Sequence, residues 1–385
     1  MPRGRVSPSS GAAAAKVPRL MTVAADIAPE TPATGPVVDS DTIRFTLPDA
    51  GRTLSAVRLV QDVRIPSDLL DFSWKAGMWS LRIDRPPVDR LEYKLELVHP
   101  GGDHESVTDP GNPVVAPGAF GHKSVLELPD YRSPWWLDRP APAGGTRELE
   151  IPTRSVRGGV HGRLWSPAGI ETDEPLPLLV AHDGPEYDEL AQLTTYLSVL
   201  IEEGRIPPLR AALLAPGPRD DWYSANGAYT RAMCLAVLPH LKKTVATSRT
   251  IGMGASLGAL AMLHAHRGHA GAFDALFLQS GSFFHPRHDA HERRRFSHYD
   301  RVVLAVDRVL RAKGHRDPVP VVLTCGVIEE NLENNRIMAR ALAAQGYDVA
   351  LHEVRDVHNY VAWRDAFDPH LTGLLRGEVP FATPH

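Results

Sequence analysis

The hydrophobic pattern of the chain changes twice along its length. From about residue 41 it consists of short runs, "AVRLVQDV", "MWSLRID", "LEYKLELV" and "KSVLEL", that alternate or are rich in β-branched residues. Pro, Gly and Asp clusters separate them, so residues 41–130 are predicted to form a small β-sandwich. The stretch "DPGNPVVAPGAFG" (109–121) is too rich in Pro and Gly for a regular element and predicts an ordered loop or connector. Residues 131–146 read as a linker, with Trp135 and Trp136 packed between domains.

Beyond residue 146 the period switches. "RELEIPTRSVRGGVHGRLWSP" predicts a hairpin, and "LPLLVAHDG" a continuous apolar strand of the buried parallel kind. Leu190, Leu193, Leu197, Leu200 and Ile201 then recur at helical spacing up to Gly204. "LRAALLAPG", "TSRTIGMG", "FDALFLQSG", "PVPVVLTCG" and "YDVALHEVRD" predict further strands, alternating with the helices "YTRAMCLAVLPHLKK", "SLGALAMLHAHR" and "NNRIMARALAAQG". This alternation predicts a three-layer α/β domain with a mostly parallel sheet over residues 147–377, followed by a tail, 378–385.

Before residue 41 no such pattern exists. The Ala/Pro/Ser/Thr/Gly composition there cannot bury a core and contains no signal-peptide apolar segment, so residues 1–40 are expected to be a disordered leader, with Met21 an alternative start. The whole chain is ordinary for a soluble globular protein, at 43% hydrophobic and 23% charged residues. A formal charge of −4 gives no electrostatic case for nucleic acid or an anionic membrane, and no run approaches the roughly 18 apolar residues of a membrane helix. Cys234 and Cys325 lie far apart without metal or redox spacing, which reads as reduced thiols in a cytoplasmic protein.

The candidate chemistry begins at "IGMGASLGALAML". Gly254-Ala255-Ser256-Leu257-Gly258 is a G-x-S-x-G pattern between a predicted strand and a predicted helix, the setting in which that pattern makes a nucleophile elbow. Small neighbours let strand and helix approach, and the helix N-terminus aims N–H groups at the serine. A serine needs a base and an orienting acid, in the order Ser, acid, His. His358 follows the last predicted strand and fits the base. Glu329, just past the strand ending at Gly326, fits the acid, with Glu330 and Asp356 as the alternatives. The oxyanion donors are the N–H of Leu257 and one from "AHDGPEYD", either Gly184 or Glu186, since Pro185 has no N–H. Arg219, Trp222 and Tyr223, on a loop at the same edge, are candidates for substrate contact or loop packing. His264, His266 and His269 read as helix-surface residues, and His285, His288 and His291 lack tight metal-ligand spacing, so no metal or organic cofactor is expected.

The elbow "GMGASLGALAMLHAH", the segment "TCGVIEENLENNRIMARALAAQGYDV" and the terminal "DVHNYVAWRDAF" resemble the putative esterase family of α/β-hydrolases over residues 147–377. That group includes enterochelin esterases, esterase D, feruloyl esterases and mycolyltransferases. In the family the acid stands three residues after the strand-ending glycine, here Glu329, and the histidine precedes a Trp-containing helix, here His358 before Trp363. "GMWSLRI", "LEYKLEL" and "TDPGNP" are similar to the immunoglobulin-like early-set domain of enterochelin esterases. The acid is Glu where relatives often have Asp, and "AHDGPEYD" departs from the "LLDGEXW"-like form. The resemblance therefore implies a serine esterase on an α/β-hydrolase fold, acting on a small-molecule ester, without naming a siderophore. An acyltransferase, a carbohydrate-linked ester hydrolase using Trp74 and Trp79 on the β-domain, and a non-catalytic binding protein are the alternatives. Oligomeric state is not legible.

Overall fold

The computed structural model describes residues 35–63, 65–118 and 121–378. Its first strands are β1 (Val37–Val38), β2 (Thr42–Pro48), β3 (Ala56–Gln61), β4 (Ser73–Lys75), β5 (Met78–Asp84), β6 (Arg90–Val98), β7 (His104–Val107), β8 (Val115–Ala116) and β9 (Lys123–Glu127). They form two antiparallel sheets, β1-β2-β5-β4 and β3-β6-β9-β8, with β7 beside the later part of β6. Period-2 alternation explains the pairing of the sheets. Phe45 and Leu47 of β2, Leu81 and Ile83 of β5, Val57 and Leu59 of β3, and Leu91, Tyr93 and Leu95 of β6 share one buried cluster. Arg90 and Glu92 alternate with those β6 residues and so stand on the other face, yet they too are buried.

Several details differ from expectation. Val37 and Val38, inside the expected leader, pair with Arg44 and Ile43, because two adjacent β-branched residues suffice to extend an existing strand edge. The leader up to residue 34 and the tail from 379 lie outside the described residues. The 109–121 stretch contains the short strand β8 and is pinned at Asp109, which accepts hydrogen bonds from the Tyr93 hydroxyl at 2.7 Å and the Gly111 N–H at 2.8 Å. Trp79 is a core residue, its indole N–H bonded to the Asp49 carboxylate at 3.0 Å, and the Trp74 N–H is bonded to the Asp49 carbonyl at 3.1 Å. Neither indole N–H is available to a glycan. In the 131–146 segment Trp136 is fully buried beside Tyr196, and the Trp135 N–H donates to Asp368 at 2.7 Å.

The remaining strands are β10 (Gly145–Ile151), β11 (Val160–Ser166), β12 (Leu176–His182), β13 (Arg210–Leu214), β14 (Thr247–Ala255), β15 (Ala275–Gln279), β16 (Pro320–Gly326) and β17 (Asp348–Val354). They form one sheet in the order β10-β11-β13-β12-β14-β15-β16-β17. β10, β11 and β13 pair antiparallel, and from β13 through β17 every pairing is parallel. Both faces are covered, which is why these strands read as unbroken apolar runs. Leu178 and Val180 pack with the helices Leu257–Gly268 and Leu332–Ala344 on one face, while Leu179 and Ala181 pack with the helices Leu193–Glu202 and Thr372–Arg376 on the other.

The helix expected through residue 192 is broken there. Gln192 takes a left-handed conformation (φ 53°), and the Asp188 carboxylate caps the next helix by accepting the Thr194 N–H at 3.1 Å. Among the described residues no helix is long and apolar enough to cross a membrane.

His266, expected on the helix surface, is fully buried with both ring nitrogens unpartnered. Burial pushes it, like His182 and His370, down to about 4 from the ordinary 6.5. Because the folded value lies below the unfolded one, the unfolded chain takes up these protons first. Their contribution to stability is present above pH 6.5 and is lost as pH falls toward 4. Asp356, raised by burial to about 7, works in the opposite sense over this window, so the test is a difference between variants. The thermal midpoint of His266→Phe is expected to change with a less acid-sensitive slope than wild type between pH 6.5 and 4. Parallel slopes would exclude His266 as a source of acid sensitivity.

Candidate active site

The carboxyl ends of the parallel strands lie on one edge of the sheet, and that edge collects the candidate residues. β14 runs into the helix Leu257–Gly268 through Ser256, whose backbone sits at φ 56°, ψ −124°. A non-glycine residue there costs of order 1–3 kcal/mol and persists only when its surroundings over-determine it. They do. The Ser256 N–H donates to the Gln279 carbonyl at 2.9 Å, and the Ser256 carbonyl accepts from Ser282 N–H at 3.1 Å and Leu260 N–H at 3.3 Å. A Cβ on Gly254 would stand 2.6 Å from the Gly258 carbonyl carbon and oxygen, so strand and helix can approach this closely only with glycine there.

On the same edge, β16 ends at Gly326 and the next turn carries Glu329, while the loop after β17 carries His358. The structure brings these two together, His358 Nδ1 lying 2.8 Å from Glu329 Oε2. A carboxylate partner makes Nδ1 the protonated nitrogen and leaves Nε2 with its lone pair. The other oxygen, Oε1, accepts from the Gly326 N–H and the Ser280 hydroxyl, both at 2.7 Å. Ser280 in turn accepts from the Trp363 indole N–H at 3.0 Å, and that indole meets the His358 ring edge-on at 5.0 Å. The loop after β15 is itself clamped, since the fully buried Asn335 accepts from Gly281 N–H and donates to its carbonyl, both at 3.0 Å. Glu330 turns elsewhere, its carboxylate 3.3 Å from His291. Asp356 is buried with its Oδ1 on the Val357 N–H at 2.7 Å. The Ser256 hydroxyl is bonded to the Ser282 hydroxyl at 3.0 Å rather than to His358.

The oxyanion expectation involves two helix starts. Leu257 opens one helix and Gly184 the other, so both carry N–H groups without an intrahelical partner. "AHDGPEYD" is thus a strand end and a helix start joined with no loop between them. Asp183, in a left-handed conformation at φ 50°, makes the turn directly. Gly184 is needed for packing as well, because a Cβ on it would lie 2.2 Å from Leu213 Cα. Glu186 folds its carboxylate back on its own N–H, and burial raises its pKa. Below the turn the buried His182 bonds the Gly258 carbonyl through Nδ1 at 3.0 Å and the Tyr229 hydroxyl through Nε2 at 2.9 Å, tying the two helix starts together.

Of the three candidates for substrate contact or loop packing, only Arg219 is part-exposed, and it forms an ion pair with the buried Asp183 at 2.8 Å. Trp222 and Tyr223 are core residues instead. The segment Arg219–Tyr223 forms a short helix that turns them inward, Trp222 stacking on Tyr229 and the Tyr223 hydroxyl accepting from Asp183 N–H at 3.3 Å.

Facing Glu329 and His358 across a cavity of about 660 Å³ is the β-domain loop of Gln61, Asp62, Val63, Ile65 and Pro66. Glu330 and Asn331 complete its lining. The pairs Asp183–Arg219 and Ser280–Trp363, together with Ser282 and Asn335, went unnoticed in the sequence. "QSGS" (279–282), two serines directly after a buried strand, was the available signal.

Comparison with known proteins agrees with this architecture. The family model described as putative esterase matches residues 155–374. The chain is 25% identical over 334 residues to the Iron(III) enterobactin esterase of Escherichia coli O6:H1, covering 82% of this chain and 78% of that protein. It is similar in fold to the enterobactin esterase of Shigella flexneri, with a TM-score of 0.67 at 19% identity, 90% of this chain and 95% of that one being covered. The ferric enterobactin esterase of Salmonella typhimurium gives a TM-score of 0.69 at 19% identity, covering 90% and 98%.

The elbow's dependence on Gly254 is testable. Gly254→Ala must push back the Gly258 backbone, and is expected to destabilise by about 1–3 kcal/mol and to slow labelling of Ser256 by an activated phosphonate. Gly268→Ala meets only Thr230 Cγ2 at 3.5 Å and is expected to stay within about 0.5 kcal/mol of wild type. Equal behaviour of the two variants in a denaturant melt would refute the close-approach account.

Proposed function

The chain belongs to the putative esterase family, and from that premise we propose that it hydrolyses a carboxylic ester through an acyl-enzyme on Ser256. His358 Nε2 takes the proton of Ser256 as the oxygen attacks the ester carbonyl. Glu329 holds the imidazole in the required tautomer and stabilises its charged form. The N–H groups of Leu257 and Gly184 receive the oxyanion of the tetrahedral intermediate. His358 then protonates the departing alcohol, and activates the water that releases the acid and restores the serine.

The observation that carries this reading is the 2.8 Å contact of His358 with Glu329 on the sheet edge where the strained Ser256 turn lies. The Ser256–Ser282 bond is compatible with it, since catalytic hydrogen bonds often form only with substrate bound. The two-domain likeness to enterobactin esterases, one of them solved in the presence of enterobactin, supports a bulky ester. A cavity walled by both domains supports the same substrate class, and a catecholate trilactone is the first compound to test beside short acyl and aryl esters.

A fluorophosphonate probe is expected to label wild type and to leave Ser256→Ala unlabelled, whereas equal labelling would remove Ser256 from the mechanism. Glu329→Gln is expected to lose about 10³- to 10⁴-fold in kcat, as when the acid of such a triad is replaced. Glu330→Gln is expected to stay within about tenfold of wild type, because its carboxylate faces His291. If Glu330→Gln were the crippled variant, the acid would have to be reassigned.

A further inference from the structure

We propose that the β-sandwich holds the loop bearing His358 in place, with Asp89 and Arg90 as positioning residues for the esterase reaction. This rests on the reading of His358 as the base. β17 ends at Val354, and the chain reaches His358 only after Arg355, Asp356 and Val357. Two of these three, Arg355 and Val357, are gripped from the β-domain. The Arg355 carbonyl accepts the Asp89 N–H at 2.8 Å, and its guanidinium Nε donates to the Asp89 carboxylate at 2.7 Å. Asp356, between Arg355 and Val357, is buried, and the charge of Arg90, itself 3% exposed on the outer face of β6, acts on it electrostatically. Val357, 2% exposed, belongs to the sandwich core with Leu91 and Tyr93. On the acid side, Ile328 packs against the same cluster one residue before Glu329.

The polar part of this grip is specific in a way the apolar part is not. An ion can be buried only where it is compensated, and the compensation depends on geometry. Arg90 bonds Glu92 at 2.7 Å, and its charge favours the ionised form of Asp356, which burial and the charges of Asp365 and Glu92 oppose. Sliding the loop by an ångström would pull the Arg355 guanidinium from the Asp89 carboxylate and shift Asp356 relative to the buried Arg90 charge. Ser256, by contrast, is bonded only within the catalytic domain, to Gln279 and Ser282. Nucleophile and base are therefore held by different domains, and the packing between those domains sets their separation. A misplacement of about 1 Å at a reacting group can cost of order 100-fold in rate.

The test uses the full chain and an activated aryl acetate. Arg90→Gln is expected to lower kcat about ten- to hundredfold with KM within about twofold. Arg90→Lys keeps the buried cation that acts on Asp356 and is expected to return kcat to within about fivefold of wild type. A loss of packing alone would not be rescued this way. If Arg90→Gln fails to fold by circular dichroism, Arg355→Gln decides, because that side chain is half-exposed. Its kcat is expected to fall about fivefold at constant KM. Unchanged kcat in folded Arg90→Gln, or in Arg355→Gln when Arg90→Gln is unfolded, overturns the proposal, as does a loss that Lys does not rescue. His358→Ala is assayed in parallel. If it keeps wild-type kcat, the reading of the base fails; if it is inactive while the positioning variants are normal, only the present inference fails.

Discussion

The close approach of β14 to the helix that follows it is the constraint on which the rest of the site depends. Gly254 allows the Gly258 backbone to come within a distance that no side chain tolerates, and the chain can then pass from strand to helix in a single residue. That residue, Ser256, is held at a positive φ by bonds to Gln279, Leu260 and Ser282. One turn thereby sets three things: the exposure of a hydroxyl at the sheet edge, the aim of the helix N-terminus at it, and the position of the neighbouring helix start at Gly184. His182 couples the last two, because its ring bonds the Gly258 carbonyl from the strand end that carries Asp183 and Gly184. Burial keeps that ring neutral at ordinary pH, so the link does not depend on a proton being present.

Around Glu329 the organisation is different, being a chain of hydrogen bonds and not a steric fit. Trp363 donates to Ser280, Ser280 and Gly326 donate to one oxygen of Glu329, and the other oxygen receives His358. Donors on both oxygens fix the plane of the carboxylate, and a fixed plane fixes the imidazole. Ser280 reaches its place only through a positive φ of 47°, a second strained residue on the same edge, secured by Asn331 bonding its carbonyl at 3.1 Å. Strain at both Ser256 and Ser280 is what a fold tolerates where side-chain placement matters more than local stability.

Much of the fold was legible because it follows from periodicity. Continuous apolar runs marked strands buried on both faces, alternation marked the sandwich, and both periods held over enough residues to be read. The elbow could be read because its residues are contiguous and the small side chains have a steric cause. The surroundings of Ser256 could not, because they are built from residues far apart in sequence: Asp183 with Arg219, Ser280 with Trp363, Gly281 with Asn335. For Trp222 and Tyr223 the sequence left substrate contact and packing both open for a related reason. A loop rich in Asp, Arg and aromatics resembles a binding surface, but the short helix from Arg219 to Tyr223 turns both rings into the core. His266 likewise sits on a helix whose whole circumference is covered, so helical position alone could not tell surface from core.

β6 shows how the two domains come to form one site. In an isolated sandwich its outer face would be solvated, and Arg90 and Glu92 would be ordinary surface charges. Here that face is covered, and burying charge is favourable only if the covering surface supplies compensation. The segment leading to His358 is bonded beside that strand, Arg355 to Asp89, and the Arg90 charge acts on its buried Asp356. The Arg355–Asp89 ion pair thus makes the docking geometry specific where apolar contact through Val357 and Ile328 would leave it free to slide. It also explains why the cavity beside His358 is walled by residues 61–63, 65 and 66 of the β-domain. A loop fastened to the sandwich at Arg355–Val357 must present its next residue along the sandwich surface, so any group bound at His358 lies against the β-domain as well.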